Sequence, residues 1–398
     1  MPRSMSRRRW LAMSTAAGFA VPWLPRVGSS TVTASSAEAN GGEFQVFSVR
    51  TISLPSDRYY GWPTLVRAAS GELLIAVSGG RLAHVCPFGR VELFQSSDDG
   101  QTWTYARTIA DGPIDDRDAG ILQTPAGTLL VTTFTSLAYE PILKGAESAG
   151  DGPSPLSADQ LAQWQAVHRR LPEGTHADHL GTWMLRSEDG GLTWSSPYRV
   201  PVNSPHGPCV LQDGTWLYAG IALWEKPRRV GVCRSTDDGL SWGWMRDSPA
   251  RTGDSLDQYH ELHAVQTSSG RVLVQIRNHN SANSGETLQT HSDDGGRTWS
   301  EPASIGVWGL PSHLMNLSDG RVLMTYGHRR APLGVQARTS DDDGATWSEP
   351  LVIYGDGKSG DLGYPSTAEL ADGTLLTVWY ELEAGASGAS LRAAHWRL

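Results

Sequence analysis

Polar side chains that can do chemistry recur at corresponding points of a repeated pattern of apolar segments. Carboxylates, imidazoles and a phenol exchange protons, and guanidinium groups bind anions. Ionisable groups that meet at one mouth are typical of a cleft that binds or processes sugars. The segment starts carry Asp118, His206, His260, Glu261, His313 and Tyr364, and the ends of the following segments carry Arg81, His84, Arg277, Arg329, Arg330 and Glu381.

A short phrase that recurs five times identifies the elements that position these residues. Its first copy is Ser96-x-Asp98-x-Gly100-x-Thr102-Trp103, and the later copies end at Trp194, Trp242, Trp299 and Trp347. The Ser and Asp side chains can bind nearby backbone N–H groups, Gly permits a positive φ, and Trp anchors the next strand. We therefore interpret the phrase as a structural hairpin clip without a catalytic role.

Two apolar strands joined by a Gly-centred turn precede each clip, so the repeat unit is a four-stranded antiparallel sheet. Repeats of roughly 40–50 residues are typical of β-propellers. Counting the units predicts an all-β fold, a six-bladed β-propeller over residues 41–398. The sixth unit ends early, and an extra strand at residues 44–49 precedes the first. We expect that strand to complete the last blade and cover its open edge.

The order of the strands predicts where the polar groups meet. In an antiparallel blade the first strand leaves one face and the second returns to it, so first-strand starts and second-strand ends share a rim. The clips lie on the opposite rim. An insertion at about residues 137–180 belongs to the polar rim, and Ser157 with Gln160 forms a capping-box pattern that predicts a short helix before Pro172. We expect a lid or a cleft wall.

The first forty residues predict export. Arg7 and Arg8 precede a short apolar stretch to about Leu24 and then small residues, a pattern typical of a twin-arginine signal. A membrane anchor is the alternative, but the apolar run is shorter than the roughly 20 residues that a span needs. We therefore predict a periplasmic or secreted protein with no membrane span in the mature chain.

Composition excludes other classes of function. The net charge is −9 and the pI about 5.7, and the sequence has no basic stripe, which argues against nucleic acid as a partner. The cysteines are Cys86, Cys209 and Cys233, too sparse for a disulfide framework or a metal knuckle. A Cys209–Cys233 bridge is an alternative to two buried thiols. We predict no cofactor.

From residue 44 to residue 398 the chain resembles the sialidase (neuraminidase) superfamily of Asp-box propellers. The clips are shared with other propellers, and three further segments are more specific. The segment Tyr259-His260-Glu261, continued to Arg277, resembles the one with the catalytic glutamate and a carboxylate-binding arginine. The segment from Arg330 to Val335 resembles the one with another arginine, and Gly363-Tyr364-Pro365-Ser366 is similar to the segment with the nucleophilic tyrosine.

The resemblance implies a division of roles that fits the chemistry of these residue types. A sialoside carries a carboxylate on the reacting carbon, so a neutral tyrosine meets less repulsion than a carboxylate nucleophile would. Tyr364 would be the nucleophile and Glu261 its base, because a phenol with a pKa of about 10 attacks poorly when neutral. Arg277 and Arg330 would hold the carboxylate of the substrate.

The sequence departs from the family pattern in one corner. Gly61 stands where the family has an arginine, and the first-blade loop at residues 78–89 lacks the acid/base aspartate. Asp118 and His84 are the candidates for that missing acid/base. The other residues that we expect to bind substrate are Arg81, Arg117, His206, His260 and His313.

These features favour an exo-acting glycoside hydrolase of sialidase type that releases a terminal acidic sugar from a glycan. The alternatives are a polysaccharide lyase on uronic-acid polymers and a non-catalytic glycan-binding propeller. Structural explanations exist for single residues as well: Tyr364 as a rim aromatic, and Glu261 as an ion-pair partner of Arg277. The rim histidines lack metal-binding spacing, and we predict no metal there.

Overall fold

The computed structural model describes residues 44–54, 58–150 and 152–398. The predicted export signal at residues 1–40 lies outside the described residues. The described residues form six four-stranded antiparallel sheets, which confirms the predicted six-bladed β-propeller. Among them, no helix combines the length and the apolar character needed to span a membrane.

The first strand in the chain and the first three blades follow one another in sequence. The strands are β1 (Gln45–Thr51); blade 1, β2 (Tyr59–Arg67), β3 (Leu73–Arg81), β4 (Arg90–Ser96) and β5 (Arg107–Ala110); blade 2, β6 (Asp115–Gln123), β7 (Leu129–Ser136), β8 (Thr182–Ser187) and β9 (Tyr198–Arg199); blade 3, β10 (Cys209–Val210), β11 (Trp216–Ala222), β12 (Arg229–Ser235) and β13 (Gly243–Asp247).

The last three blades repeat the same order, and the sixth takes its outer strand from the start of the chain. The strands are blade 4, β14 (Tyr259–Gln266), β15 (Val272–Asn278), β16 (Thr287–Ser292) and β17 (Ala303–Ser304); blade 5, β18 (Gly309–Asn316), β19 (Val322–His328), β20 (Gly334–Ser340) and β21 (Leu351–Tyr354); blade 6, β22 (Leu362–Glu369), β23 (Leu375–Leu382), β24 (Ala389–Arg397) and β1.

Two kinds of contact close the ring. Strand β1 pairs antiparallel with β24, with Gln45 opposite Arg397 and Thr51 opposite Arg392, so the predicted completion of the last blade is confirmed. A buried apolar cluster fills each of the six interfaces between neighbouring blades. The cluster between blades 6 and 1 includes Ile75 and Val378. Because every blade has apolar neighbours on both sides, burial of that surface stabilises the whole ring.

The clips have the hydrogen bonds of a structural turn. In the first copy, Asp98 accepts hydrogen bonds from the backbone N–H of Thr102 at 2.8 Å and from its hydroxyl at 2.6 Å. The Trp103 indole donates to the carbonyl of Gly100 at 3.1 Å. The bonds from Thr102 lower the pKa of Asp98 to about 2. The clip carboxylates are thus used within the turn, as the sequence predicts.

A β-bulge interrupts the innermost strand of several blades. The pairing of β2, β6, β14 and β22 with its neighbour shifts register near the start of each strand. The bulged residues Trp62, Asp118, Glu261 and Tyr364 have φ of 57°, 46°, 49° and 52°. Non-glycine residues rarely adopt this left-handed conformation, and bulges often redirect side chains beside active sites. In four blades, therefore, a bulge with a left-handed residue sets the direction of one side chain.

The insertion forms two helices, α1 (Glu140–Ser148) and α2 (Ala158–His168), and a 3-10 helix (His176–His179). The predicted capping box at the start of α2 is confirmed, since Gln160 N–H donates to Ser157 Oγ and Ser157 N–H to Gln160 Oε1. Helix α1 is not predicted from the sequence, although a proline occupies its first turn.

The insertion packs on the first-blade loop that carries His84. Tyr139, Leu143 and Trp164 form one buried cluster with Cys86 of that loop. The loop therefore rests on the insertion as a fixed support. Cys86, Cys209 and Cys233 are all free thiols, so the alternative of a Cys209–Cys233 bridge is not realised.

Candidate active site

Three residues from two blades meet in a hydrogen-bonded group. The Tyr364 hydroxyl donates to Glu261 Oε1, and Arg277 Nη1 donates to Glu261 Oε2 at 2.6 Å. Arg277 Nη1 also lies 3.3 Å from the Tyr364 hydroxyl oxygen. The bulges of β14 and β22 bring the glutamate and the tyrosine to this point. The hydrogen-bonded pairing of Tyr364 with Glu261 that the sequence predicts is present.

Burial and charge set the protonation of this group. Burial alone would raise the pKa of Glu261, but the Arg277 charge and the hydrogen bonds from Arg277 and Tyr364 outweigh it and hold the pKa below its ordinary value. Burial raises the pKa of Tyr364 far above its ordinary value, and the negative charge of Glu261 adds to that effect. At neutral pH the pair is therefore a neutral phenol beside an ionised carboxylate.

Arg329, and not its neighbour Arg330, lies against this group. The Arg329 guanidinium is 6.0 Å from the centre of the Tyr364 ring, and its Nε donates to the Leu362 carbonyl at 2.9 Å. Arg330 is exposed and stacks on Trp308 at 4.3 Å. The sequence places both arginines at the same rim but does not decide between adjacent residues. The geometry makes Arg329 the better candidate for binding an anion next to Tyr364.

A second hydrogen-bonded group centres on Asp361. Its Oδ1 accepts from the Tyr380 hydroxyl at 2.9 Å and lies 3.1 Å from His84 Nδ1, and both its oxygens accept from the Tyr59 hydroxyl. Burial opposes the ionised form, but the bonds from His84, Tyr59 and Tyr380 keep the pKa of Asp361 below its ordinary value. Arg329 Nη2 donates to the Tyr380 hydroxyl at 3.3 Å and so links the two groups.

Trp62 fills the corner where the sequence lacks the family arginine. It is 2% exposed, and its ring lies 6.3 Å from the Tyr364 ring and 5.1 Å from the His84 ring. The Arg117 guanidinium stacks on the Trp62 ring at 4.3 Å. A cation over an indole ring is a favourable arrangement, and this contact holds Arg117 at the site. Gly61, the residue before Trp62, has no side chain that could contribute to the site.

Arg81 supports the site and does not face a ligand. It is 0% exposed, and its Nη1 and Nη2 bind the Asp115 carboxylate at 2.5 Å and 3.1 Å. Nη2 also donates to the His84 carbonyl at 3.0 Å, and Nε to the Ala83 carbonyl at 3.4 Å. The predicted substrate-binding role of Arg81 is therefore corrected, because Nε, Nη1 and Nη2 all bind the protein itself. Arg81 instead holds the backbone beneath His84.

Asp118 reaches the same group from blade 2. Its electrostatic neighbours include Arg117, Glu261 and Arg277, and it contributes to the raised pKa of Tyr364. Burial and the charge of Glu261 raise the pKa of Asp118 to about 7, against the opposing effect of the arginines. Asp118 therefore carries a proton for part of the time at neutral pH and can donate a hydrogen bond.

His260 lies beside the group and contacts a histidine that the sequence reasoning missed. The rings of His260 and His279 are 4.7 Å apart, and His260 is opposite Arg277 in the ladder. Burial lowers the pKa of His260, and burial with the charge of Arg277 lowers the pKa of His279 to about 4. Both imidazoles are neutral at pH 7 and can bind hydroxyl groups.

His206 and His313 form a buried cluster with His263 and do not join the candidate site. Their ring centres are 4.9–5.2 Å apart. His206 Nδ1 lies 3.3 Å from Thr64 Oγ1, and His263 accepts a hydrogen bond from the Leu314 N–H. The predicted substrate-binding role of His206 and His313 is thus corrected. Both side chains point into the packed space between inner strands. The prediction was wrong because a position at the start of a strand does not reveal which side of the strand a residue faces.

Four residues of the site were not proposed from the sequence: Tyr59, Trp62, Asp361 and Tyr380. Tyr59 and Asp361 are next to first-strand starts, so the rim rule applies to them equally. Trp62 has the bulge position that Glu261 and Tyr364 have. Position at the rim was the available signal for the carboxylate of Asp361 and the phenols of Tyr59 and Tyr380, whereas the indole of Trp62 carries no obvious chemistry.

Comparison with known proteins identifies the family. A family model described as a BNR repeat-like domain matches residues 157–377, more than half of the 398 residues. The chain belongs to the BNR repeat-like family. With the six blades, this membership confirms the resemblance to the sialidase superfamily of Asp-box propellers.

Individual relatives are distant. A sialidase from Micromonospora viridifaciens is 29% identical over 177 residues, which cover 35% of this chain and 26% of that sialidase. A protein of unknown function from Dyadobacter fermentans is 22% identical, with a TM-score of 0.73 over 89% of this chain and 99% of that one. The NanB sialidase from Streptococcus pneumoniae is 14% identical, with a TM-score of 0.62 over 89% and 70%. The two structural matches show a shared fold.

The buried histidine cluster predicts a loss of stability in acid. Burial lowers the pKa of His313 to about 4 and those of His206 and His263 well below 6.5. The unfolded chain therefore binds more protons below pH 6.5, and stability falls as the pH drops through the folded-state pKa values. For His313 alone the loss is about 3 kcal/mol.

Urea unfolding at pH 7 and pH 4 measures this loss. His313→Asn should reduce the difference in unfolding free energy between the two pH values by about 3 kcal/mol. His328→Asn, at a residue outside the cluster, is the matched control. Equal pH dependence in the wild type and His313→Asn would contradict this assignment.

Proposed function

We propose that this protein is an exo-acting glycosidase of sialidase type that releases a terminal acidic sugar from glycans. The observation that carries the proposal is the hydrogen bond from the buried Tyr364 hydroxyl to the ionised Glu261, with Arg277 beside both. A tyrosine nucleophile paired with a carboxylate base is the known exception to the two-carboxylate scheme of glycosidases.

In the proposed first step, the Tyr364 oxygen attacks the anomeric carbon and its proton passes to Glu261. The bond from that carbon to the leaving-group oxygen breaks, and that oxygen takes a proton from an acid. In the second step, water gives a proton to the acid that was deprotonated in the first step and attacks the anomeric carbon. The bond from that carbon to the Tyr364 oxygen breaks, and Tyr364 recovers its proton from Glu261. Burial, which raises the pKa of Tyr364, keeps the phenol neutral until the base acts.

The remaining arginine donors support an anionic substrate. Arg277 uses Nη1 for Glu261 and Tyr364, and its buried Nε has no hydrogen-bond partner among the described residues. Arg329 uses Nε and Nη2 within the protein, and its Nη1 has no partner in the described part of the chain. Guanidinium N–H groups without a protein partner can donate charge-assisted hydrogen bonds to an anion, so the two arginines favour a substrate that carries a carboxylate.

His84 is the proposed proton donor to the leaving group. Its side chain is 46% exposed, whereas Asp118 is 7% exposed, and a leaving group departs toward solvent. Asp361 and Tyr59 hold Nδ1 of His84, which leaves Nε2 for the substrate, and a histidine oriented by a carboxylate can give and take protons. Asp118, whose pKa of about 7 leaves it protonated for part of the time, would instead bind the sugar through hydrogen bonds.

Removal of the Tyr364 hydroxyl tests its role as the nucleophile. The purified protein should release free sugar from sialosides or from glycosides of related 2-keto-3-deoxy acids, and Tyr364→Phe should lower kcat by at least about 10²-fold. Tyr380→Phe is the matched control: it removes a hydroxyl that binds Asp361 and should cost much less. Uronic-acid polymers are assayed in parallel, and product is followed both as released sugar and by the ultraviolet absorbance of unsaturated uronates.

Three outcomes would contradict this assignment. Unsaturated uronate without sugar release would favour the lyase alternative, and binding without any product would favour a glycan-binding propeller. Equal loss of kcat in Tyr364→Phe and Tyr380→Phe would remove the special role of Tyr364.

Substrates with poor and good leaving groups separate the two acid candidates. General acid catalysis contributes about 10²–10⁴-fold, and only poor leaving groups need it. His84→Gln should therefore slow natural glycosides by that factor and aryl glycosides with good leaving groups very little. Asp118→Asn should affect both substrate types equally, as expected for a binding residue. The reverse pattern would assign the acid to Asp118. If each variant slowed both substrate types equally, neither residue would be the acid.

A further inference from the structure

Two histidines and a glutamate meet inside the insertion, apart from the groups described above. Glu140 begins α1, His168 ends α2, and His176 lies in the 3-10 helix that follows. One carboxylate oxygen of Glu140 and one nitrogen of each ring lie within 4.8 Å of one another. The three residues do not have the sequence spacing of a known metal-binding motif, so the sequence alone does not predict this group.

The distances suit a small metal ion. Zinc binds imidazole nitrogen at about 2.0–2.1 Å, so tetrahedral ligand atoms are about 3.3 Å from one another. The three ligand atoms therefore need to approach by about 1.5 Å at most, which side-chain rotation can supply. Two histidines with one glutamate is a donor set that zinc sites use when a fourth position stays open.

Hydrogen bonds already orient both imidazoles. His168 Nδ1 lies 3.1 Å from the hydroxyl of the buried Tyr139, and His176 Nε2 lies 2.8 Å from the His168 carbonyl. The two rings stack with their centres 3.9 Å apart. The second nitrogen of each ring has no hydrogen-bond partner among the described residues. Such partners on the opposite nitrogen are usual for metal-binding histidines, because they fix the tautomer and the ring orientation.

The present partner of the carboxylate is weak. Glu140 Oε2 pairs with Lys144 at 3.1 Å, one turn along α1, and the lysine side chain is 69% exposed. An exposed pair of this kind contributes little to stability, so a cation can replace it at little cost. All three candidate ligands line a cavity of about 830 Å³, which gives an ion a path from solvent.

We propose that Glu140, His168 and His176 bind one divalent transition-metal ion of the zinc class, with a fourth position open to water. The ion joins α1, α2 and the 3-10 helix of the insertion. Tyr139 connects this site to the buried cluster with Cys86, on which the His84 loop rests. The metal thus fastens the support of that loop and does not enter the reaction proposed above.

Metal titration of the untagged full-length chain tests the proposal without any activity assay. After removal of metal by a chelator, Co²⁺ should bind with one ion per chain and give the visible absorption bands of low-symmetry, four-coordinate cobalt, and Zn²⁺ should displace it. Zn²⁺ should also raise the midpoint of thermal unfolding in proportion to the logarithm of its concentration.

Three variants and one control complete the test. His168→Gln, His176→Gln and Glu140→Gln should each weaken Co²⁺ binding by at least about 100-fold, since even changes behind the ligands cost 10–100-fold. His179→Gln, on the same 3-10 helix but outside the group, should bind like the wild type. Thermal unfolding without metal shows that each variant is folded. No stoichiometric binding, or ligand variants that bind as tightly as the wild type, would overturn the proposal.

Discussion

The left-handed bulge in the innermost strands is the constraint on which the candidate site depends. Each bulged residue, among them Glu261 and Tyr364, holds a backbone conformation that costs about 1–3 kcal/mol. The fold supplies that energy because the blades on either side of each strand are locked together by apolar clusters. Strand β1 covers the outer edge of the last blade, and the innermost strand of that blade, β22, carries Tyr364.

Electrostatics then decides what the assembled residues can do. Glu261 stays ionised in a buried place because Arg277 binds it, and the same pair of charges acts on the Tyr364 hydroxyl. The two candidate proton donors beside this centre, Asp118 and His84, differ in their exposure to solvent. Asp118 is buried and partly protonated, while His84 is exposed and oriented by Asp361. Arg81 acts indirectly, because its guanidinium binds the backbone carbonyl of His84 and so positions the loop that carries His84.

The sequence predicted the architecture well because the architecture is periodic. Repeated clips, Gly turns and apolar strands predict six blades, the closing strand and the rim that gathers Glu261, Arg277 and Tyr364. What failed depends on the orientation of single side chains. His206 and His313 occupy rim positions in the strand order, but face the interior. Arg329 and Arg330 are adjacent, and only the path of the chain after β19 decides which one reaches Tyr364. The group of Glu140, His168 and His176 arises from contacts across the insertion, which no local sequence pattern predicts.

The proposed reaction requires a covalent bond between Tyr364 and the sugar, and mass spectrometry can detect that bond. The protein is mixed with an activated glycoside of the sugar that it releases, with fluorine on the carbon next to the anomeric centre to slow the second step. We expect a mass increase of one fluorinated sugar, located on the peptide that contains Tyr364 and absent from Tyr364→Phe. Turnover of this glycoside without any adduct, or an adduct on a residue other than Tyr364, would contradict the account.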